Sequence, residues 1–164
     1  MKHLAQILII LISTFSFSQD SISDILKKYN SNTIPYISVQ ELAMPKTKVF
    51  ILDAREIAEY KTSHIKNAIH VGYDQFDIKT VLNAIKNKDE GLVVYCSIGI
   101  RSEDIAEKIK KAGYSNVYNL YGGIFEWKNK DFLVYKSNFN ETENIHVFSK
   151  EWSPLLVKGQ KVYE

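Results

Sequence analysis

Two short runs of apolar residues restrict the fold of this chain more than any other feature. Residues 49–52 and 92–95 are uninterrupted and rich in β-branched or aromatic side chains, which is typical of strands buried on both faces. Helical spacing of apolar residues occurs around these runs, at residues 21–29, at residues 78–85 and from Ser102 onwards. Because strands that alternate with helices form a parallel sheet, the sequence predicts an α/β fold. Its central, mostly parallel sheet is expected to carry helices on both faces.

The helix that begins near Ser102 has recognisable boundary signals. Ser102 is expected to cap its N-terminus, and Gly113 stands where a glycine commonly ends a helix. Weaker signals predict shorter elements elsewhere: strands at residues 36–39, 68–71 and 117–120, and a helical turn around Glu41 and Leu42.

Composition excludes several classes of protein. Across 164 residues, 21 Lys and Arg stand against 19 Asp and Glu, so the formal net charge of +2 gives no reason to expect a nucleic-acid partner. The single cysteine excludes a disulfide framework and a cysteine-based zinc site. His64 and His70 lie close in sequence without further ligand-type spacing, so neither a metal site nor another cofactor is predicted.

The N-terminus has the three parts of a secretory signal peptide. Lys2 supplies a positive charge, and residues 4–17 are largely apolar. Ser16 and Ser18 are small residues at the −3 and −1 positions of a cut. We therefore expect residues 1–18 to be removed after Ser18, which leaves a periplasmic or secreted protein without stable membrane insertion. The alternative is an uncleaved N-terminal anchor.

Cys96 directly follows the second apolar run and opens a short loop that ends at Ser102. Convergent amides of a tight loop, the N-terminus of the following helix and the Arg101 cation each favour a thiolate at this position. Gly99 permits the backbone conformation that such a loop needs. The alternative is that Cys96 is a small apolar residue at the end of a buried strand.

Three ordered motifs resemble those of the rhodanese family of sulfurtransferases. The pattern C-x-x-G-x-R-S from Cys96 is similar to the family's active-site loop. The segment D-A-R-E from Asp53, followed by E-Y and H-I-K-N-A-I, is similar to the family's N-terminal signature, with Ser63 where a glycine is usual. A closing segment of V-Y-N-L, G-G and Trp127 completes the resemblance, which runs over residues 33–129.

This resemblance implies the transfer of a sulfane sulfur. The Cys96 thiolate would attack the outer sulfur of thiosulfate or a similar small anionic donor, release sulfite and keep the sulfur as a persulfide. Arg101 would bind the donor and stabilise the departing charge, and cyanide or an external thiol would accept the sulfur. Asp53 and Arg55 would support the site by pairing beside the loop. The loop residues expected to bind the substrate anion are Ser97, Ile98, Gly99, Ile100 and Ser102.

Two other functions are compatible with these residues. A binding or sulfur-carrier module would keep the fold and the thiol without turnover. A phosphatase or an arsenate reductase would use a related anion cradle. The phosphatases that share this fold, however, have the loop C-x5-R, whereas Cys96 to Arg101 is C-x4-R. The shorter loop favours a single sulfur atom over a phosphoryl group.

The chain is expected to divide into four parts. After the signal peptide, residues 19–32 form a helix and linker, and residues 33–129 form the rhodanese-like domain. Residues 130–164 are a tail without firm periodicity. The tail could be a lid over Cys96, a dimer contact or a covering layer, of which a covering layer is the simplest.

Overall fold

The protein is represented by a computed structural model that describes residues 21–163. The predicted signal peptide at residues 1–18 lies outside the described residues. A five-stranded sheet forms the centre of the fold, made of β1 (Tyr36–Ile37), β2 (Phe50–Asp53), β3 (Ile69–His70), β4 (Gly91–Tyr95) and β5 (Asn116–Leu120). The strand order is β1-β5-β4-β2-β3, and every pairing is parallel.

Helices connect and flank these strands, which confirms the predicted α/β architecture, and the central sheet is wholly rather than mostly parallel. Among residues 21–163, no helix has both the length and the apolar character that crossing a membrane requires. The helices are α1 (Ile22–Tyr29), α2 (Val39–Leu42), α3 (Ile57–Thr62), α4 (Ile78–Ala84), α5 (Arg101–Lys111) and α6 (Gly123–Asn129).

Strand β4 shows how both faces of the sheet are covered. Successive side chains of a strand point to opposite faces, and the four residues from Leu92 to Tyr95 are completely buried. Leu92 and Val94 belong to an apolar cluster with residues of α4 and α5. Val93 and Tyr95 belong to another cluster, with residues of α2 and α6. The continuous apolar run therefore corresponds to a strand between two helical layers.

The carboxyl ends of β2 and β4 meet at one edge of the sheet. Asp53, the last residue of β2, lies opposite Tyr95, the last residue of β4, and Cys96 follows directly. Ligands of open parallel sheets bind at this edge, beyond the ends of the strands. The topology therefore brings the two polar signals of the sequence to the same side of the molecule.

One helix boundary differs from the sequence-based expectation. Helix α5 begins at Arg101 with Ile100 as its N-cap residue, and no side chain caps it. The prediction that Ser102 is the N-cap is therefore wrong, because Ser102 lies inside the first turn and its hydroxyl serves the loop instead. Gly113 follows the end of the helix with a φ of +98°, as expected of a terminating glycine.

The sequence prediction also extends β1 too far and misses α3. β1 ends at Ile37 because the Ser38 hydroxyl caps α2 by accepting a hydrogen bond from the Glu41 amide. Helix α3 has six residues, which are too few to show a clear helical period. Its first turn is stabilised by the Glu59 carboxylate, which accepts a hydrogen bond from the Glu56 amide at 3.0 Å.

The tail beyond α6 folds into short strands that pack against the domain. A bridge between His64 and Tyr135 fastens it to the segment after α3, and Ile145 and Val147 are buried in the apolar core. Strands of two or three residues leave no periodic pattern, which explains why none was visible in the sequence. The pairs are β6 (Val134–Tyr135) with β7 (Glu141–Thr142), antiparallel, and β8 (Asn144–His146) with β9 (Gln160–Val162), parallel.

Candidate active site

The loop between β4 and α5 closes around the sulfur of Cys96. Cys96 itself is only 1% exposed. The Gly99 amide donates a hydrogen bond to Sγ, with 3.1 Å between nitrogen and sulfur. The Ser102 hydroxyl oxygen lies 3.5 Å from Sγ, within reach of a second hydrogen bond. This arrangement of donors favours a negatively charged sulfur.

Gly99 is held in this orientation from its other side. Its φ of +112° lies in the region that favours glycine. Its carbonyl oxygen accepts hydrogen bonds from Asn30 Nδ2 at 2.9 Å and from Asn119 Nδ2 at 2.8 Å. Asn119 Oδ1 lies 2.7 Å from Ser102 Oγ. Because a hydroxyl carries one proton, Ser102 donates to either Asn119 or Cys96, and the shorter contact favours Asn119 while the sulfur is uncharged.

A glycine lets the N-terminus of α6 approach the loop backbone. A Cβ added at Gly123 would lie 2.3 Å from the Cys96 carbonyl oxygen and 2.7 Å from the Ser97 carbonyl group. In the space that glycine leaves, the Ile124 amide donates a hydrogen bond to the Cys96 carbonyl oxygen at 3.0 Å. The Phe125 amide donates to the Ser97 carbonyl oxygen at 3.1 Å. Helix α6 therefore fixes the start of the loop.

At the end of the loop, Arg101 is fixed by Glu59 of α3. Nη1 and Nη2 of Arg101 each lie 2.8 Å from a different oxygen of the Glu59 carboxylate. Ser97 Oγ accepts a hydrogen bond from Arg101 Nη2 and donates one to Glu59 Oε1, both at 3.0 Å. The two parallel bonds use the planar fork that distinguishes arginine from lysine. The guanidinium thus has a fixed position beside Cys96.

Burial and charge act in opposite directions on this ion pair. Burial alone would raise the pKa of Glu59, but the hydrogen bonds and charge of Arg101 outweigh it and hold that pKa below its ordinary value. Burial alone would lower the pKa of Arg101. The bonds from Glu59 and the charge of a Cys96 thiolate instead raise that pKa above its ordinary value. Both partners are therefore charged at neutral pH.

Asp53 and Arg55 form a second, completely buried ion pair, as expected from the sequence. Arg55 Nη2 lies 2.6 Å from Asp53 Oδ2 and donates to the Ser63 carbonyl oxygen at 2.6 Å. The Tyr95 hydroxyl donates a hydrogen bond to the Asp53 carboxylate. After burial, the bonds from Arg101 and the charge of Arg101, the charge of Arg55 is the next influence on the pKa of Glu59, which it lowers. Because Tyr95 directly precedes Cys96, its bond to Asp53 places the pair beside the start of the loop.

A cavity of about 330 Å³ opens over Cys96. One side of it is the loop, and the other side is aromatic. The Phe148 ring covers the Arg101 guanidinium, with 4.2 Å from Cζ to the ring centroid, and Trp152 meets Tyr29 edge to face at 6.1 Å. The lining residues are Cys96, Ser97, Ile98, Ile100 and Arg101 from the loop, and Tyr29, Tyr73, Phe148 and Trp152 from the aromatic side.

The loop residues singled out in the sequence take different places around the sulfur. Gly99 and Ser102 reach Sγ, whereas the Ser97 hydroxyl is engaged by Glu59 and Arg101. Ile98 is buried in the apolar core and also lines the cavity, and Ile100 is a half-buried lining residue. Within residues 21–163, no group of three His, Cys, Asp or Glu side chains is placed to hold a metal ion.

Several residues of the site were missed by sequence reasoning. Glu59 lies in the E-Y part of the N-terminal motif, which was the available signal for it. Asn30 falls in the segment predicted as helix and linker, and the structure places that segment against the loop. Asn119 lies in β5, where a polar residue between apolar ones gave no indication of its partner. The aromatic residues Phe148 and Trp152 lie in the tail, which showed no pattern.

Comparison with known proteins agrees with the geometry. The sequence model of the family described as Rhodanese-like domain matches residues 38–130, more than half of the chain. The thiosulfate sulfurtransferase GlpE of Coxiella burnetii is 30% identical over 95 residues, which cover 58% of this chain and 85% of that protein. The tRNA uridine(34) hydroxylase of Aster yellows witches'-broom phytoplasma is 35% identical over 99 residues, which cover 56% of this chain. The chain spans only 32% of that hydroxylase's length.

A solved structure supports the same grouping at the level of the fold. The crystal structure of a rhodanese-related protein from Thermoplasma volcanium superposes with a TM-score of 0.53 at 24% identity, covering 61% of this chain and 96% of that one. The resemblance predicted from the three sequence motifs is thus confirmed. With a cysteine loop, a parallel sheet and a family match that agree, the chain belongs to the Rhodanese-like domain family and has the rhodanese fold.

Proposed function

We propose that this protein is a sulfurtransferase that carries a sulfane sulfur on Cys96. The donor is thiosulfate or a compound of similar chemistry, and the acceptor is cyanide or a thiol. The observation that carries the proposal is the hydrogen bond from the Gly99 amide to Sγ, inside a closed loop with Arg101 beside it. The name of the GlpE relative, thiosulfate sulfurtransferase, supports the same reaction class.

The first half-reaction follows from the position of the thiol. The Cys96 thiolate attacks the outer sulfur of thiosulfate, a new S–S bond forms, and the S–S bond of the donor breaks. Sulfite leaves with the electron pair of the broken bond, and a persulfide anion stays on Cys96. Arg101 stabilises the charge that develops on the departing sulfite, because Glu59 keeps the guanidinium in place before the substrate arrives.

The persulfide anion is stabilised by the donors that face the sulfur. The Gly99 amide points at Sγ, and the Ser102 hydroxyl turns from Asn119 to the sulfur once the charge is present. In the second half-reaction, cyanide or an external thiolate attacks the outer sulfur and restores the Cys96 thiolate. The acceptor comes from outside the chain, because Cys96 is its single cysteine.

A sulfur carrier is the second candidate function. It is favoured by one observation: Cys96 is 1% exposed and lies beneath a cavity whose other side is aromatic. This position protects a stored persulfide from solvent. A carrier would release its sulfur once per loading, whereas an enzyme would transfer sulfur over many turnovers. A phosphatase or an arsenate reductase has less support, because the C-x4-R loop is one residue shorter than that of the related phosphatases and its Gly99 amide sits at the sulfur.

The test is formation of thiocyanate from thiosulfate and cyanide. We expect many turnovers per chain and parallel lines in double-reciprocal plots, since the two substrates bind in separate half-reactions. A matched control is Cys96→Ser combined with Ser115→Cys, which keeps one thiol per chain but moves it to an exposed position; it should be inactive. A single stoichiometric release of sulfur would favour the carrier, and hydrolysis of an aryl phosphate without sulfur uptake would contradict both candidates.

We also propose that the protein is exported. The support is the pattern of residues 1–18, with Lys2, the apolar stretch and the small residues Ser16 and Ser18. Expression of the full chain followed by cell fractionation and mass measurement tests this. A periplasmic or secreted form that begins after Ser18 is expected, and an intact chain in the cytoplasmic fraction would contradict export.

A further inference from the structure

Three of the four residues on the aromatic side of the cavity over Cys96 lie outside the family match, and the fourth, Tyr73, lies within it. The match covers residues 38–130, whereas Tyr29 belongs to α1, and Phe148 and Trp152 belong to the tail. Tyr29 and Phe148 are 50% and 53% exposed, although they flank the opening to a nucleophile. Exposed aromatic side chains grouped around a cavity are typical of a binding site.

The charges at the cavity disfavour a small dianion. Arg101 is the cation among the lining residues, and the Glu59 carboxylate neutralises it through two hydrogen bonds. Phe148 also covers the guanidinium on one face. A thiosulfate dianion that approaches the Cys96 thiolate is repelled by its negative charge. The cavity has little net positive charge to offset this repulsion. A donor with one negative charge and an apolar body meets less repulsion and gains contact with the rings.

The volume of the cavity also favours a donor with an apolar body. The cavity has about 330 Å³, which is near the lower end of the range for small organic ligands, roughly 300–1,000 Å³. A water molecule occupies about 30 Å³, so the space is roughly ten times that of a water and exceeds what a small inorganic anion fills. Trp152 and Tyr29 meet edge to face, with ring centroids 6.1 Å apart and an interplanar angle of 90°, so two aromatic rings lie beside the opening.

We propose that the sulfur donor of this protein is organic: a sulfane sulfur attached to an apolar or aromatic group that binds against Tyr29, Phe148 and Trp152. This inference rests on the proposed sulfurtransferase function. For a thiosulfonate, the Cys96 thiolate attacks the sulfane sulfur, the new S–S bond forms and the donor's S–S bond breaks. The organic sulfinate leaves with the electron pair, one negative charge remains on the persulfide, and the total charge is unchanged.

The test compares benzenethiosulfonate with methanethiosulfonate and thiosulfate, each with cyanide, in the full chain. The intrinsic reactivity of the two thiosulfonates is the same toward every variant, so their kcat/KM ratio reports what the cavity contributes. We expect the benzene-to-methane ratio to fall at least about fivefold in Trp152→Ala and in Tyr29→Ala. The control is Phe139→Ala, which removes an aromatic ring from the same tail. Phe139 is 70% exposed, and this variant should keep the kcat/KM ratio of the unmodified protein.

The outcomes separate this inference from the function on which it rests. Trp152→Ala is checked by thermal unfolding, and Tyr29→Ala gives the answer if Trp152→Ala does not fold, because Tyr29 is half exposed. A benzene-to-methane ratio of kcat/KM that is unchanged in both variants overturns the organic donor. The sulfurtransferase function still stands in that case if thiosulfate is turned over. Absence of thiocyanate from all three donors overturns the sulfurtransferase itself and this inference with it.

Discussion

Glu59 holds both terminal nitrogens of Arg101, at 2.8 Å each, across 42 residues of sequence. The side chains of Glu59 and Arg101 are 2% and 12% exposed, respectively, so the pair is almost entirely removed from water. Ser97 joins the pair by hydrogen bonds to both partners. The cation of the loop is therefore positioned by a helix that follows a different strand, and removal of either charge leaves the other buried without its partner.

Glu59→Gln should destabilise the protein by about 3 kcal/mol, since it leaves the Arg101 charge buried and unpaired. The measurement is urea unfolding at neutral pH. Glu126→Gln is the matched control, because Glu126 pairs with Lys130 at 3.5 Å on the surface, where such pairs contribute less than about 1 kcal/mol. Equal losses in the two variants would contradict the buried ion pair.

The effect of Glu59→Gln should depend on pH. The pKa of Glu59 is held below its ordinary value of about 4.5, chiefly because the bonds from Arg101 outweigh burial. A carboxylate with a depressed pKa in the folded state contributes stability that is fully present above its unfolded pKa and is lost as the pH falls through its folded pKa. The stability difference between the two proteins should therefore be constant above about pH 5.5 and shrink below about pH 4. A difference that grows on acidification would be inconsistent with this pair.

Gly123→Ala should impair the loop as well as the fold. Its Cβ would lie 2.3 Å from the Cys96 carbonyl oxygen, so either α6 or the loop must move. Gly72→Ala is the control, because Gly72 has a positive φ of +71°, as Gly123 has one of +54°, but a Cβ added at Gly72 would have its nearest neighbour at 3.6 Å. Both variants should lose about 1 kcal/mol from backbone strain.

The two glycine variants should then diverge in activity. We expect Gly123→Ala alone to lose further stability and at least about tenfold in kcat/KM for thiocyanate formation, because a shifted loop no longer aims its donors at the sulfur. Similar activity in the two variants would show that α6 does not fix the loop.

Ser102→Ala should slow sulfur uptake by about tenfold, because the persulfide anion loses a hydrogen-bond donor. The measurement is the rate of sulfur transfer from a thiosulfonate to Cys96 in a single turnover. Ser115→Ala removes an exposed hydroxyl that donates a hydrogen bond to Asp89 at the amino end of β4 and β5, the opposite end of the sheet from the loop, and should leave the rate unchanged. Equal rates of sulfur transfer in Ser102→Ala and Ser115→Ala would show that the Ser102 hydroxyl does not stabilise the persulfide.

The sequence was sufficient for the parts of this molecule that are encoded locally. The strand before Cys96, the loop and the helix after it are continuous in sequence, so an apolar run, a glycine and an arginine predict their order. Asp53 and Arg55 pair as the resemblance to the family implied. The capping of α5 was predicted wrongly, because Ser102 has a tertiary partner in Asn119 that outweighs its local preference.

The remaining parts depend on contacts between distant segments. Asn30 reaches the Gly99 carbonyl across 69 residues, and Phe148 covers Arg101 from a tail whose strands are two or three residues long. No periodic pattern marks either residue. Their roles follow from the tertiary fold, which brings α1 and the tail to the carboxyl edge of the sheet.

The most direct test of the account is the intact mass of the purified protein after incubation with thiosulfate or a thiosulfonate. We predict a gain of one sulfur atom per chain, its loss on addition of cyanide, and no gain in Cys96→Ala. A protein that gains no sulfur from either donor, or a gain that persists in Cys96→Ala, would contradict a persulfide on Cys96.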